Sequence, residues 1–270
     1  MNAREAIAAA NPAIAGAGRD FVASIARAFS ILRSFRRGER SLGNKDIAER
    51  TGMPRSSVAR ITYTLTKLGY LEFHPAAEKY SLGVGVLGLG QNYLAGLDVR
   101  EVARPLMQAL ADDVQATVAL AARDGDQMVF LEIAHASQPF GLRLGVGERV
   151  PRGTTALGRA AHAALPEAER TRIMEKIRKS AKGPHRDLLL QGLEQGVKDY
   201  QRYGFCLSLG AWERNVHAVG VPMASGDTAR IFAFSCFGPP HEMPRTRLVT
   251  EIGPRLLDLR DRVRDSIGGP

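Results

Sequence analysis

Apolar positions in the first third of the chain recur at helical spacing and then change to strand-like runs. Helices are predicted over residues 24–35, 44–50 and 55–68, with the turn Thr51-Gly52-Met53-Pro54 between the last two. In the third helix Val58, Ile61, Leu65 and Leu68 are spaced for one helical face. Pro54 suits a first helical position, where no backbone N–H is required. Gly52 permits the tight turn that swings one helix across the other. Runs 69–73 and 79–82 then flank the loop 74–78 as a small hairpin. That order predicts a helix-turn-helix followed by a β-wing.

Opposite the apolar stripe lie Arg55, Ser56, Ser57, Ala59, Arg60 and Tyr63, crowded into the first turns of the helix. Recognition helices meet base edges with their N-terminal residues, so this face points to duplex DNA. Arg55, Ser56, Ser57 and Arg60 are the expected base readers, with Lys45 and the wing residue Lys79 on phosphates. A solvated helix face would also be polar, but motif, turn and wing agree here.

Further along, Val84, Leu87, Leu94 and Leu97 give a linker-helix pattern that Gly88, Gly90 and Gly96 weaken. Val99, Val102, Leu106 and Leu110 follow at helical spacing, with Pro105 marking a restart. Apolar stripes outside a compact core usually find a partner, and a second copy of the chain fits. Gly83-Val-Gly85-Val-Leu-Gly88 also matches a dinucleotide-binding pattern. No carboxylate stands near 103–109 and no second parallel strand follows in time, so no nucleotide cofactor is expected.

From 117 onward strands and helices alternate. Strands are predicted over 117–123, 127–134, 142–150, 205–212, 216–223 and 231–237. Helices are predicted over 155–165, 167–179 and 188–203, with a last one within 245–266. Helices grouped between two strand runs imply an α+β domain around a largely antiparallel sheet.

Charge sharpens this division. Net charge is +9, and residues 1–88 hold 13 Lys/Arg against 7 Asp/Glu, whereas the rest holds 24 against 21. A protein that neutralises phosphates needs such an excess at one end only, although a basic surface can serve solubility alone. Two cysteines cannot build a disulfide framework, which suits a reducing cytoplasm. Residues 1–20 lack the pattern of a signal peptide and read as a frayed tail, and no apolar run approaches a membrane span. No Gly-x-Ser-x-Gly, Walker or His-Glu-x-x-His motif is present, so the chain does not read as an enzyme. A structural DNA binder without an effector is the alternative, but it would have no use for a large, nearly neutral second domain.

The segments 24–35, Asp46-Ile-Ala-Glu-Arg-Thr-Gly52, Pro54-Arg-Ser-Ser-Val58 and Lys79-Tyr-Ser-Leu-Gly83 resemble the IclR family of bacterial transcriptional regulators. The likeness continues through Gly153-Thr-Thr-Ala-Leu-Gly-Arg-Ala160, Tyr203-Gly-Phe205 and Phe234-Ser-Cys-Phe-Gly-Pro239. Asn44 stands where the family usually has an apolar residue, and a capping role fits it. The resemblance implies a winged helix-turn-helix domain over 21–83, a linker helix over 84–97 and a GAF-like effector domain over 98–270. It implies a dimer, or a tetramer through the effector domains, on a pseudo-palindromic operator. The effectors it implies are small organic or aromatic carboxylates.

The family's effector pocket falls on Arg143, Val146, Ala156, Leu157, Cys206, His217, Ser235 and Phe237. Free N–H groups at the helix start near Thr155 would meet an anion, and Arg143 could add a bidentate bond. A lone strand arginine can equally be solvated, and His217 can be a satisfied core histidine. Cys206, His217 and Cys236 could converge as soft metal ligands, although their spacing is no zinc pattern and no metal is expected. The cysteine pair could also sense redox state, but no basic cluster in the sequence favours a thiolate.

Overall fold

The computed structural model describes residues 21–36, 38–136, 144–225 and 230–268. The expected tail at 1–20, Arg143 and the start of the strand expected from Leu142 lie outside the described residues. The chain divides into two units between Gly96 and Leu97.

In the first unit α1 (Ala23–Arg33), α2 (Asn44–Thr51) and α3 (Arg55–Lys67) surround Ile31, Ile47, Met53, Val58 and Leu65. Strand β2 (Leu71–His74) pairs antiparallel with β3 (Lys79–Leu82) to make the wing. A two-residue strand β1 (Leu42–Gly43), too short to show in the sequence pattern, pairs with β3 and widens the wing to three strands. Gly43 caps α2, its N–H donating to Asp46 Oδ2 at 2.9 Å. Asn44 is therefore the first helical residue, not the cap, and Thr62 Oγ1 reaches its Oδ1 at 3.5 Å. Gly52 ends α2 in the left-handed region at φ +68°, which permits the turn into α3. Pro54 precedes α3 by one residue instead of opening it, and its carbonyl accepts the first helical N–H bonds.

The inner face of α3 also differs from the expected stripe. Thr62 is fully buried and donates to Val58 O at 3.0 Å, whereas Leu68 is 63% exposed beyond the last turn. The loop before α2 is fastened by Arg50, which bonds both Glu39 oxygens and Ser34 O. That pairing holds the Glu39 carboxyl down at about 2. Helix α4 (Gly85–Ala95) closes the unit with no buried residue. The glycine pattern opens α4 after β3, but both neighbours of β3 are antiparallel, so no βαβ unit forms.

The second unit begins with α5 (Asp98–Val114), which runs unbroken past Pro105. Pro105 is exposed, so the carbonyl it leaves unbonded one turn back can be hydrated and no restart is needed. A six-stranded sheet follows in the order β6-β5-β4-β9-β8-β7, with every pairing antiparallel. Its strands are β4 (Thr117–Asp124), β5 (Gln127–Ala134), β6 (Arg149–Pro151), β7 (Cys206–Leu209), β8 (His217–Ser225) and β9 (Arg230–Gly238). Helices α6 (Ala156–Ala163) and α8 (Gly183–Tyr203) pack on one face, and α7 (Glu167–Ser180) joins them. On the other face lie α5 and α9 (Gly253–Ser266), the latter entered through a π-helical turn, Leu248–Ile252. This is the α+β, GAF-like arrangement that the resemblance implies.

Strand β6 is much shorter than the strand expected over 142–150. Gly147 takes φ +86° and Glu148 donates its N–H to Gly145 O, so the chain turns within 144–148. Strand β7 likewise stops at Leu209 because Gly210 turns the chain at φ +71°, placing Trp212 in a loop. Among the described residues no helix is long and apolar enough to cross a membrane.

Candidate functional site

The exposed side of α3 carries Arg55, Ser56, Ala59, Arg60 and Tyr63, with Ser57 half-buried at its edge. Among the described residues neither Arg55 nor Arg60 forms an ion pair, and both guanidinium groups are free to bond elsewhere. Lys79 is exposed on the wing opposite His74, and His74 Nε2 lies 2.9 Å from Ser81 Oγ. Lys45 is exposed on α2 and reaches Glu49 only at 4.0 Å. An exposed pair of that kind holds little energy and leaves the ammonium available.

In the second unit a cavity opens between the start of α6 and the sheet. It is lined by Phe130, Leu144, Val150, Trp212, Val216, Ala218 and Phe237, with Ala156 and Leu157 at the helix start. It encloses about 360 Å³ of space outside protein atoms, its open mouth included. Three hydroxyls, from Thr155, Ser208 and Ser235, complete the lining, and among the described residues no charged side chain joins them.

Those hydroxyls are already oriented. Thr155 Oγ1 donates to Pro151 O at 2.6 Å and accepts the Gly158 N–H at 3.2 Å as the cap of α6. Ser208 Oγ donates to Thr154 O at 2.6 Å, and Ser235 Oγ donates to Val219 O at 2.8 Å. Each has committed its one proton and offers lone pairs only. The lining therefore accepts hydrogen bonds at its hydroxyls. It can donate them at the N–H groups of Ala156 and Leu157, which the first turn of a helix leaves without helical partners, and at the Trp212 indole N–H.

Helix α6 is seated rigidly. A Cβ at Gly220 would lie 2.4 Å from Ala156 O, so only glycine lets helix and sheet backbones meet there. Buried Arg159 donates from Nε to Gly153 O and from Nη1 to Leu207 O, tying the loop before α6 to β7. Burial lowers the Arg159 pKa, with Asp199 opposing that change.

Of the residues expected in the pocket, Ala156, Leu157, Ser235 and Phe237 line the cavity together. Val146 does not: it is 44% exposed in the turn 144–148, and Leu144 lines the wall in its place. His217 sits at the start of the inner strand β8 with Nδ1 2.9 Å from Met243 O, so that nitrogen is bonded within the protein and the residue does not line the cavity. Cys206 is buried in the core and points its thiol at Gly196 O, 3.1 Å away. Cys236 lies on the opposite face of the sheet, one row along from Ser235, so the two thiols and His217 do not converge. Burial pushes the Cys206 thiol well up and that of Cys236 up to about 12, and neither supplies a ready thiolate. Arg143 lies outside the described residues. Sequence reasoning missed Trp212, although it is the chain's one tryptophan beside a Gly turn signal.

Two family models cover the chain: the IclR helix-turn-helix domain matches residues 24–75, and the bacterial transcriptional regulator IclR C-terminal domain matches 91–262. The chain belongs to the IclR family. Among IclR relatives, the HTH-type transcriptional regulator TsaQ1/TsaQ2 of Comamonas testosteroni is 33% identical over 88% of this chain and 86% of its own length. An IclR-family regulator from Brucella abortus superposes with a TM-score of 0.86 at 38% identity, covering 97% of this chain and 98% of that one. An IclR homolog from Microbacterium hydrocarbonoxydans, crystallised with 4-hydroxybenzoate, shares the fold at TM-score 0.67 and 22% identity, over 90% of this chain and 99% of that one. The IclR proteins are transcriptional regulators, which places DNA among the partners of the fold.

Proposed function

We propose that the chain is a sequence-specific, ligand-responsive regulator whose effector is a single-ring aromatic carboxylate bearing a hydrogen-bond donor. The observation that carries the reading is the cavity itself. Its Phe130, Trp212 and Phe237 suit one ring, and the α6 start suits one carboxylate. Its three hydroxyls, their protons already committed, suit a phenol or amine on the ring. The 4-hydroxybenzoate held by the Microbacterium homolog is a molecule of this class.

A thermal-shift screen of benzoates with and without ring hydroxyls tests this directly. Ser235→Ala should reduce the preference for the hydroxylated acid about tenfold, or ~1.4 kcal/mol for one hydrogen bond. Ligand-free DNA binding should stay as it was. A preference unchanged by both Ser235→Ala and Ser208→Ala would remove the hydroxyl reading.

On the DNA side, Arg55, Ser56, Ser57 and Arg60 read the major groove while Lys45 and Lys79 hold phosphates. One winged helix covers too little DNA for tight specific binding. A second copy fits, packed through the uncovered apolar side chains of α4, among them Leu87, Leu89 and Tyr93. Selection from random duplexes should therefore enrich a pseudo-palindrome. Arg55→Ala or Arg60→Ala should then cost about 1–3 kcal/mol and relax one base position in each half-site. Lys79→Ala should weaken all duplexes alike and lower the salt slope by about one. Selection yielding no shared sequence, or both arginine variants binding it unchanged, would defeat the assignment.

A further inference from the structure

Beside α6, on the loop that leads into it, stands a buried arginine that no carboxylate among the described residues bonds, although Asp126 and Glu169 act on it electrostatically. Arg152 is 6% exposed, its Nε has no hydrogen-bond partner, and among the described residues no carboxylate or carbonyl bonds its guanidinium. Its backbone is pressed against α6, where a Cβ at Gly158 would lie 2.2 Å from Arg152 O. One turn further along the same helix His162 is fully buried, with neither ring nitrogen partnered. Thr154, on the same loop as Arg152, has a buried hydroxyl that is also without a partner. Buried polar groups are nearly always bonded, so three orphans within one loop and helix need a cause.

The neighbouring charges say what kind. Arg123, Arg152 and Arg170 all bear electrostatically on His162. The acids at hand are already taken: Glu169 by Arg123 at 2.6 Å and Asp126 by Lys176 at 3.2 Å. Arg170 uses its Nη1 on Ala163 O and Leu165 O, at the end of α6. The surplus is positive, and an arginine keeps its proton. A buried water could satisfy the nitrogens but would add no negative charge to offset that surplus.

We propose that Arg152, His162 and Thr154 form a site for a small oxyanion, a phosphate or a carboxylate, separate from the aromatic cavity. The Arg152 fork donates to two of its oxygens, and the neutral His162 ring adds one N–H. Occupancy of this site needs neither DNA nor aromatic ligand, so its test stands or falls apart from the proposed function.

The experiment titrates the full-length protein with inorganic phosphate, sulfate and formate, each against chloride at matched ionic strength. It reads melting temperature and the 15N-labelled arginine Nε–H resonances. A saturable rise in melting temperature, together with a shift of one buried Nε–H resonance that Arg152→Met deletes, is the expected result. Phosphate and sulfate acting without formate would mark a tetrahedral anion, and formate acting as well would mark any carboxylate. Arg152→Met should abolish the saturable response, and His162→Phe should weaken it at least several-fold. If Arg152→Met does not fold, Arg152→Lys replaces it, with the fork lost and affinity expected to drop. No saturable response beyond chloride in the wild type, or an undiminished response in these variants, overturns the proposal.

Discussion

Gly220→Ala should destabilise the second unit by about 3 kcal/mol or more, the upper range for forcing a methyl group into a closed contact. The added Cβ would meet Ala156 O at 2.4 Å, Ala156 C at 2.5 Å and Leu157 N at 3.0 Å, all of them backbone atoms. No side chain can rotate away to make room, so α6 must lift off β8. Lifting it moves the Ala156 and Leu157 N–H groups that the cavity presents, so effector affinity should fall along with stability. Calorimetry reads both, at roughly 2–4 °C of melting temperature per kcal/mol for a unit of this size. A variant with wild-type melting temperature and wild-type ligand affinity would show that helix and sheet are not locked together.

The second large effect is on acid stability. Burial, then repulsion from Arg152, Arg170 and Arg123, lowers the His162 pKa from 6.5 to about 4, with Glu169 opposing. The folded state thus holds His162 neutral while the unfolded chain takes up a proton below pH 6.5. Stability from this group is complete above pH 6.5 and drains as pH falls towards 4. The loss is about 3 kcal/mol, because each tenfold difference in proton affinity between the folded and unfolded chain is worth ~1.36 kcal/mol. Urea unfolding at pH 7 and at pH 4.5 should show it, and His162→Phe should shrink the difference between the two pH values. The facing groups are Arg152 on the loop, Arg123 on β4, and Glu169 and Arg170 on α7. Glu39 acts in another window, because its lowered carboxyl gives up stability only as pH falls from 4.5 through about 2. Equal pH dependence in wild type and His162→Phe would remove His162 as the cause.

Much of the fold can be read from the sequence because its signals are local. The helix-turn-helix follows from the Gly52 turn, Pro54 and the spacing of Val58, Ile61 and Leu65, all within a few turns of chain. Local signals fail where distant contacts decide. Strand β1 is only Leu42–Gly43, and it exists because β3 offers it an edge. Thr62 is buried because its hydroxyl can bond Val58 O inside the helix, which hydropathy does not reveal. The expected strand over 142–150 reads as apolar alternation, yet Gly147 takes a left-handed φ and Glu148 N–H bonds back to Gly145 O, which makes a turn. In the cavity, Ala156, Leu157, Ser235 and Phe237 are reached through family resemblance. Trp212, Phe130 and Ser208 come to the same place only through the sheet order, which no sequence spacing encodes.

The two walls of the cavity are built by different means, and this bears on how such a protein changes its ligand. The α6 wall is joined to the sheet by direct backbone contact at Gly220 and by the bonds of Arg159 and Ser208. A substitution there disturbs the whole domain. Leu144 and Trp212 stand on turns outside the regular strands, and their replacement alters the shape offered to a ring without touching a helix or a strand pairing. New chemical preferences can therefore accumulate on the loop side while the α6 side stays fixed. Descendants of one ancestral sensor would be expected to diverge in what meets the loop wall long before they diverge in what meets the start of α6.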